Sequence, residues 1–503
     1  AWRRIEVPGA WTMQGIGDIP IYAAQRVPFD GLPPLPPSDN PTGVYRRTFT
    51  VPAGWAGKRI VLHVGAAIST LLVEINGEPV GIGKDSRLAG EFDITAHLTE
   101  GRNVVVLRVV RFSDATFVEN QDSWWHGGIT RSVGLYATPR VHLADVQARA
   151  SLDGDGGRCR IRVTVRSGSE PLRAGWSIAA RIGGVTAEAP VSAPGAAPAQ
   201  GAGDGAISMA EAPADVDLAG LDVLDLASRR AAGAALDPST GAALRVIDAL
   251  LVPEPIGLAE LELVLPAVQP WSAETPALHS LDVVLRDPQG VEVERSQHRI
   301  GFRDVVVRDG ELLVNGRAVL IQGVNRHDFH PRTGVTSTRA EVAAQLRLLK
   351  EHGFNAIRTA HYPNDPMVLD LCDEYGLYVV DEADIEAHNY STTICDDPRY
   401  AAAFLDRVSR MVRRDANHPS VILWSLGNET SIGVNHHAAA GWLRAFDPSR
   451  PLHYEGAIMR DWFVGHAVTD VVAPMYPSPA ALRQYAEDPR ADRPLIMCEY
   501  SHA

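Results

Sequence analysis

Apolar and polar positions follow three different rhythms along the 503 residues. Over residues 1–140, short runs alternate or cluster, as in VYRRTFTV (44–51), RIVLHVG (59–65), STLLVEING (69–77) and NVVVLRVVR (103–111). Turn residues such as Asn76-Gly77 separate them. A period of two broken by frequent turns predicts an all-β sandwich. Over residues 141–302 strand-like runs return at both ends: 141–152, 158–167, 278–287 and 291–300. Between them an Ala/Gly/Pro-rich stretch, roughly 183–245, has little periodicity. A second, smaller sandwich with a loose insertion fits that pattern, and a spacer role fits its lack of candidate chemistry.

From residue 303 onward, strands alternate with helices. Apolar runs recur at 318–325, 355–360, 377–383, 420–427, 452–456, 470–476 and 494–500. The segment 338–353 repeats its apolar residues at three and four; Thr338 and Glu341 stand in capping-box register, and Gly353 ends it. The segment 365–376 opens with Asp365-Pro366 and closes on Gly376. Strands this apolar are buried on both faces, which means a parallel sheet covered by helices. A Rossmann fold and a (β/α)8 barrel both satisfy this. No glycine-rich phosphate loop follows a strand, and polar residues close nearly every one: 325–330, 358–361, 382–388, 428–429, Glu455, Tyr476 and Glu499. Convergence of polar groups at the C-terminal ends of many strands predicts a barrel with its active site there. Seven strands are counted, so the expectation is a barrel cut short after about the seventh.

Composition narrows the chemistry. No run of eighteen apolar residues occurs, so no membrane-spanning helix is expected. The net charge of −14 includes no basic stripe, which argues against nucleic acid and leaves a small neutral molecule as the better partner. Cys159, Cys372, Cys395 and Cys498 are scattered without a CxxC pair, as expected of reduced thiols in a cytoplasmic protein.

Two glutamates stand at ends of apolar strands: Glu429 in VILWSLGNET and Glu499 in PLIMCEYSHA. Cleaving a glycosidic bond needs such a pair, one neutral acid whose pKa is raised and one ionised partner. From the fourth and seventh strands they would face each other across a barrel mouth. A separation of about 5–5.5 Å would make the second a nucleophile and the reaction configuration-retaining. A lone glutamate at such a place more often ends a strand in an ion pair; two of them, each after an apolar run, favour catalysis.

The motifs LWSLGNET and MCEYSHA resemble the acid/base and nucleophile motifs of glycoside hydrolase family 2. RHDFHP (326–331), RTAHYPNDP (358–366), DEADIEAHN (381–389), NQDSWWHGG (120–128) and NPTGVYRRTF (40–49) resemble the large multi-domain bacterial β-galactosidases of that family, in the same order. The resemblance implies a jelly-roll sugar-binding sandwich (1–140), an immunoglobulin-like sandwich (141–302) and a catalytic TIM barrel (303–503). It implies Glu429 as acid/base, Glu499 as nucleophile, and substrate contacts from Asp122, His330, His361, Asn428 and Tyr476. Asn428 would hold the sugar 2-hydroxyl. Tyr476 would support the nucleophile, or be a core aromatic. His327 shares the His330 motif with a less defined role. Trp124 is either a stacking platform or a buried core residue.

The resemblance further implies Mg²⁺ held by Glu386, His388 and Glu429, a donor set suited to a hard cation. A hydrogen-bonded pair without metal is the alternative. A Na⁺ ion through Asp122 is implied as well. The substrate would be a small β-galactoside such as lactose, and a homo-oligomer is compatible with the family. One departure stands out: Ala24 occupies the place where relatives often carry a sugar-facing asparagine. β-Glucuronidase and β-mannosidase share both glutamates. A glucuronidase would need a cationic clamp, commonly Asn-x-Lys, which the barrel portion lacks; Asp122 would repel a uronate. A sugar-binding fragment without activity is the remaining alternative.

Overall fold

The computed structural model describes residues 2–168, 172–192 and 256–501. Its first sandwich pairs the antiparallel strands Thr42–Thr50, Arg102–Val110, Thr70–Ile75 and Glu78–Lys84, in that order. A facing sheet joins Val133–Thr138, Arg59–Val64 and Gly90–Asp93. Strict alternation puts Leu71, Val73 and Ile75, Val105, Leu107 and Val109, and Ile60, Leu62 and Val64 into one shared core.

The second sandwich sets His142–Asp153, Gly156–Arg166 and Ile256–Leu265 against Val185–Pro190, Ser177–Ile182, His279–Arg286 and Glu292–Ile300. Val185–Pro190 lies within the stretch read from sequence as a loose insertion. Of its inward positions Val185, Ala187 and Ala189, two are small alanines, so the alternation is too weak to register as a strand. The remainder of that stretch, 193–245, lies outside the described residues.

Val305–Arg308, Glu311–Val314 and Arg317–Ala318 form an antiparallel meander before the barrel. Its two turns are Asp309-Gly310 and Asn315-Gly316, all four residues at positive φ, as two-residue hairpins require. Val305, Leu312 and Val314 pack on Ala356, Tyr378 and Ile422, at the entry ends of the barrel strands. The sequence run 318–325 therefore splits between this meander and the first barrel strand.

The barrel staves are β1 (Gly323–Asn325), β2 (Ala356–Arg358), β3 (Tyr378–Glu382), β4 (Val421–Ser425) and β5 (Leu452–His453), all parallel in that order. Two further staves continue the ring in extended form. Asp470 N–H donates to Leu452 O, and Val472 and Met475 bridge in parallel to Leu495 and Glu499. Every residue of β3 and β4 is buried, as a sheet covered on both faces demands.

Helices α1 (Arg339–Glu351), α2 (Pro366–Tyr375), α3 (Ala401–Asp415) and α4 (Val434–Phe446) cover the outside. Thr338 and Glu341 form the reciprocal capping box, and Asp365 caps α2 by accepting from Met367 N–H at 3.1 Å. No helix among the described residues is long and apolar enough to cross a membrane.

Candidate active site

Arg358, the last residue of β2, organises the mouth of the barrel. Its guanidinium donates to Glu382 Oε2 at 2.7 Å and to Asn428 Oδ1 at 2.8 Å, and stands 3.3 Å from Glu499 Oε1. One fork-shaped cation thus touches side chains from β3, the loop after β4 and the seventh stave. His361 lies beside it, with Nδ1 2.9 Å from Glu382 Oε1 and Nε2 3.7 Å from Glu499 Oε1. The Tyr476 hydroxyl donates to Glu499 Oε2. Burial, that hydrogen bond and then the charges of Glu499 and Glu429 raise the Tyr476 phenol above its ordinary pKa. Both carboxylates therefore act on one phenol.

Glu429 sits on a strained bend. Gly427, Glu429 and Ser431 have φ of 128°, 31° and 48°. Gly427 is needed there twice over, because a Cβ would also meet Ile385 O at 2.4 Å. The Glu429 N–H donates to Glu455 Oε1 at 2.7 Å, and its carboxylate pairs with His388 Nε2. His388 Nδ1 is 3.0 Å from Glu386 Oε1. The ligand atoms of Glu386, His388 and Glu429 all lie within 4.8 Å of one another. Glu386 Oε2 is a buried acceptor with no hydrogen-bond partner.

Charge in this corner differs from the expectation of an acid with a raised pKa. Burial pushes the Glu429 carboxyl up, but the hydrogen bond and charge of His388 outweigh it and hold it below its ordinary value. Against its own burial cost, hydrogen bonds to Glu386 and Glu429 push His388 up to about 10. The reason is a partner from a separate loop. The Glu429 side chain keeps 35% of its exposure, and covering it would work toward protonation.

The first sandwich reaches into this mouth. Glu119–Asn120 pairs in parallel with Glu386–Ala387, and Gln121 Nε2 donates to Asp384 Oδ1 at 2.8 Å. Asp122 follows directly, its N–H 3.4 Å from Glu386 Oε1 and its Oδ1 accepting from the Tyr22 hydroxyl at 2.6 Å. Tyr22 lies two residues before Ala24, in the short strand Ile21–Tyr22 that pairs with Trp124–Trp125. Trp124 is 51% exposed, which removes the core reading for it; Trp125 is the buried member of the pair.

His330 is not gathered with these groups. Its Nδ1 is 2.8 Å from Thr333 Oγ1 and its Nε2 3.2 Å from Glu341 Oε1, at the start of α1. Of the two histidines in that motif, His327 is the one whose ring lies 5.3 Å from that of His361. Burial, with the nearby charges of His361 and two arginines, brings His327 down to about 3.

Three groups had no role from sequence: Arg358, Glu382 and Glu455. Arg358 and Glu382 each close a barrel strand and Glu455 follows β5 by two residues, which was the available signal. Burial alone would push Glu382 up, but Arg358 and then His361 hold it at about 2, while burial pushes Glu455 up to about 8. Asp85, Glu119 and Asp384 form a second buried acidic cluster. Arg407 pairs with Glu119, and the Ser86 hydroxyl donates to it, which makes this a ligature between sandwich and barrel.

Comparison with known proteins fits this layout. The model for the sugar binding domain of glycosyl hydrolases family 2 matches residues 2–139. A second model of glycosyl hydrolases family 2 matches 233–303, and its TIM barrel domain matches 305–503. A β-galactosidase of Alteromonas mediterranea is 38% identical over 517 residues, covering all of this chain and 44% of its own. One from Vibrio cholerae is 38% identical over 516 residues, covering 100% and 45%. The chain thus spans slightly under half the length of these relatives. Among solved structures, a β-glucuronidase of Bacteroides uniformis superposes with a TM-score of 0.73 at 20% identity, covering 100% of this chain and 56% of that one. A family 2 member from Bacteroides cellulosilyticus gives 0.70 at 20%, covering 99% and 60%. At such identity these two speak for the fold alone.

Proposed function

The chain belongs to glycosyl hydrolases family 2, and from that premise we propose that it carries the sugar-binding and catalytic parts of a retaining β-galactosidase. It would release terminal β-D-galactose from small β-galactosides such as lactose. The observation that carries this reading is the single guanidinium of Arg358 joining Glu499 to the Asn428–Glu429 bend.

In the first step a Glu499 oxygen bonds to the anomeric carbon. The bond from that carbon to the leaving oxygen breaks, and Glu429 supplies the proton that oxygen takes up. In the second step Glu429 removes a proton from water, whose oxygen bonds to the anomeric carbon as the Glu499 ester bond breaks. Two inversions leave the configuration retained. Arg358 and Tyr476 fix one Glu499 oxygen each, so the nucleophile has one orientation before substrate arrives. Asn428 is oriented by Arg358 to meet the 2-hydroxyl. A sugar over Glu429 covers its exposed portion and favours the protonated acid that the first step needs.

Glu386, His388 and Glu429 would hold Mg²⁺. Two carboxylates and an imidazole within 4.8 Å, one carboxylate oxygen buried without a partner, suit a hard divalent cation. When bound, the cation supplies positive charge that orients the Glu429 loop. Asp122 would offer galactose hydroxyls its carboxylate, disfavours a uronate by charge, and would be one ligand of a sodium ion. All four cysteines are free and buried, in keeping with a cytoplasmic setting.

Release of nitrophenolate from 4-nitrophenyl β-D-galactoside tests the reading, with Glu499→Gln as control and proton NMR of the first-formed sugar. Retained anomer from the native protein and a loss of at least ~10³-fold in the variant are expected. Equal rates in the two proteins, or inverted anomer, would sink it.

A further inference from the structure

Glu455 is buried two residues past the fifth barrel strand, 2% exposed, and is neither the proposed nucleophile nor the proposed acid. Its Oε1 accepts the backbone N–H of Glu429 at 2.7 Å, while Oε2 has no hydrogen-bond partner. A carboxyl so enclosed is costly unless something else requires it. The residues on either side hold the same bend. The Tyr454 hydroxyl donates to Ser431 O, and a Cβ on Gly456 would meet that oxygen at 2.3 Å. The segment 454–456 therefore holds residues 429–431 by two hydrogen bonds, and Gly456 leaves the room that Ser431 O needs.

What is gripped is unfavourable on its own. Glu429 at φ 31° and Ser431 at φ 48° lie in the left-handed region, which costs a residue with a Cβ on the order of 1–2 kcal/mol each. Such a conformation persists only where the surroundings fix it. The N–H that Glu455 accepts is the one adjoining the φ torsion of Glu429, so releasing it frees that torsion and swings the carboxyl.

We propose that Glu455 is a positioning residue: its carboxyl oxygen locks the left-handed turn that aims Glu429 at the leaving-group oxygen. This rests on the reading of Glu429 as the acid/base. A neutral acceptor of the same length can do the same work, because what is held is an N–H and not a charge.

The test separates acid catalysis from general damage by varying the leaving group in the full-length protein. A 2,4-dinitrophenolate departs without a proton, whereas 4-methylphenolate needs one. In Glu455→Leu, kcat/KM for the 4-methylphenyl β-galactoside is expected to fall by ~10²-fold and that for the dinitrophenyl galactoside by less than ~5-fold. Glu455→Gln is expected to return the former to within ~5-fold of native. Glu455→Asp, which withdraws the oxygen by one methylene, should show the same split and serves if the leucine variant does not fold. Glu429→Gln is the reference for the split. If Glu429→Gln shows it and the Glu455 variants lower both substrates alike, or neither, the positioning role is overturned and the acid assignment stands. If Glu429→Gln shows no split, the acid assignment falls and the positioning role with it.

Discussion

The Nη1 of Arg358 stands 3.3 Å from Oε1 of Glu499, while Nε of the same guanidinium donates to the fully buried Glu382. One cation thus anchors a core carboxylate and the proposed nucleophile. Removing it should separate two effects by substitution. Arg358→Met strands Glu382 without its charge partner, a loss of ~3–5 kcal/mol in stability. Arg358→Lys keeps the charge but cannot span Glu382, Asn428 and Glu499 together, so kcat/KM should fall by ~10²-fold with a smaller fall in melting temperature. Native activity in the lysine variant would show that charge alone suffices.

The same pair sets a pH dependence. Glu382 is held at about 2 in the fold, by Arg358 and His361 working against burial. Its unfolded value is ~4.3, so the carboxylate contributes stability that is full above that pH and is lost as pH falls toward the folded value. A shift of this size corresponds to ~3 kcal/mol at neutral pH. Comparing urea midpoints of native protein and Glu382→Gln, the native advantage should shrink by ~2 kcal/mol between pH 7 and pH 3. An advantage that is constant or grows with acid contradicts the ion pair.

Much of this site was legible because a barrel writes its active site at strand ends. Glu429, Glu499, Asn428 and Tyr476 each follow an apolar run, and the structure joins them through Arg358 and the Tyr476 hydroxyl. What escaped was through-space. Arg358, Glu382 and Glu455 carry the same strand-end signature, but their partners come from other strands. His327 and His330 are indistinguishable as letters three apart. The antiparallel bridge from His330 to Gly334 turns the second of them toward Glu341. The downward pull on Glu429 was equally hidden, since His388 comes from the loop after the third stave. In the second sandwich, Val185–Pro190 escaped because alanines do not advertise an inner face.

Loading the Glu386–His388–Glu429 cluster should stabilise the fold independently of turnover. At a hundredfold excess over its Kd, Mg²⁺ adds ~2.7 kcal/mol to whichever unit it closes, and chelation removes the same amount. Glu386→Gln gives up a carboxylate whose Oε2 is buried without a partner. The Mg²⁺-dependent rise in melting temperature should disappear in that variant. An equal rise in both proteins would place the ion elsewhere.

Tyr476 reaches Glu499 from a strained backbone of its own, at φ 45°, and its hydroxyl donates to Oε2. A hydrogen bond to a carboxylate is worth ~1.5–3 kcal/mol, or roughly 10- to 150-fold in rate where it is regained in a transition state. The two steps of the proposed reaction would use it in opposite directions. Attack on the sugar consumes the Glu499 charge and weakens the bond. Release of the sugar restores the charge and strengthens it. Tyr476→Phe should therefore slow the second step more than the first. With 2,4-dinitrophenyl β-galactoside, kcat should fall well beyond kcat/KM, and a burst of dinitrophenolate should precede the steady state as glycosyl-enzyme accumulates. Parallel falls in both constants without a burst would mean that the phenol only shapes the site.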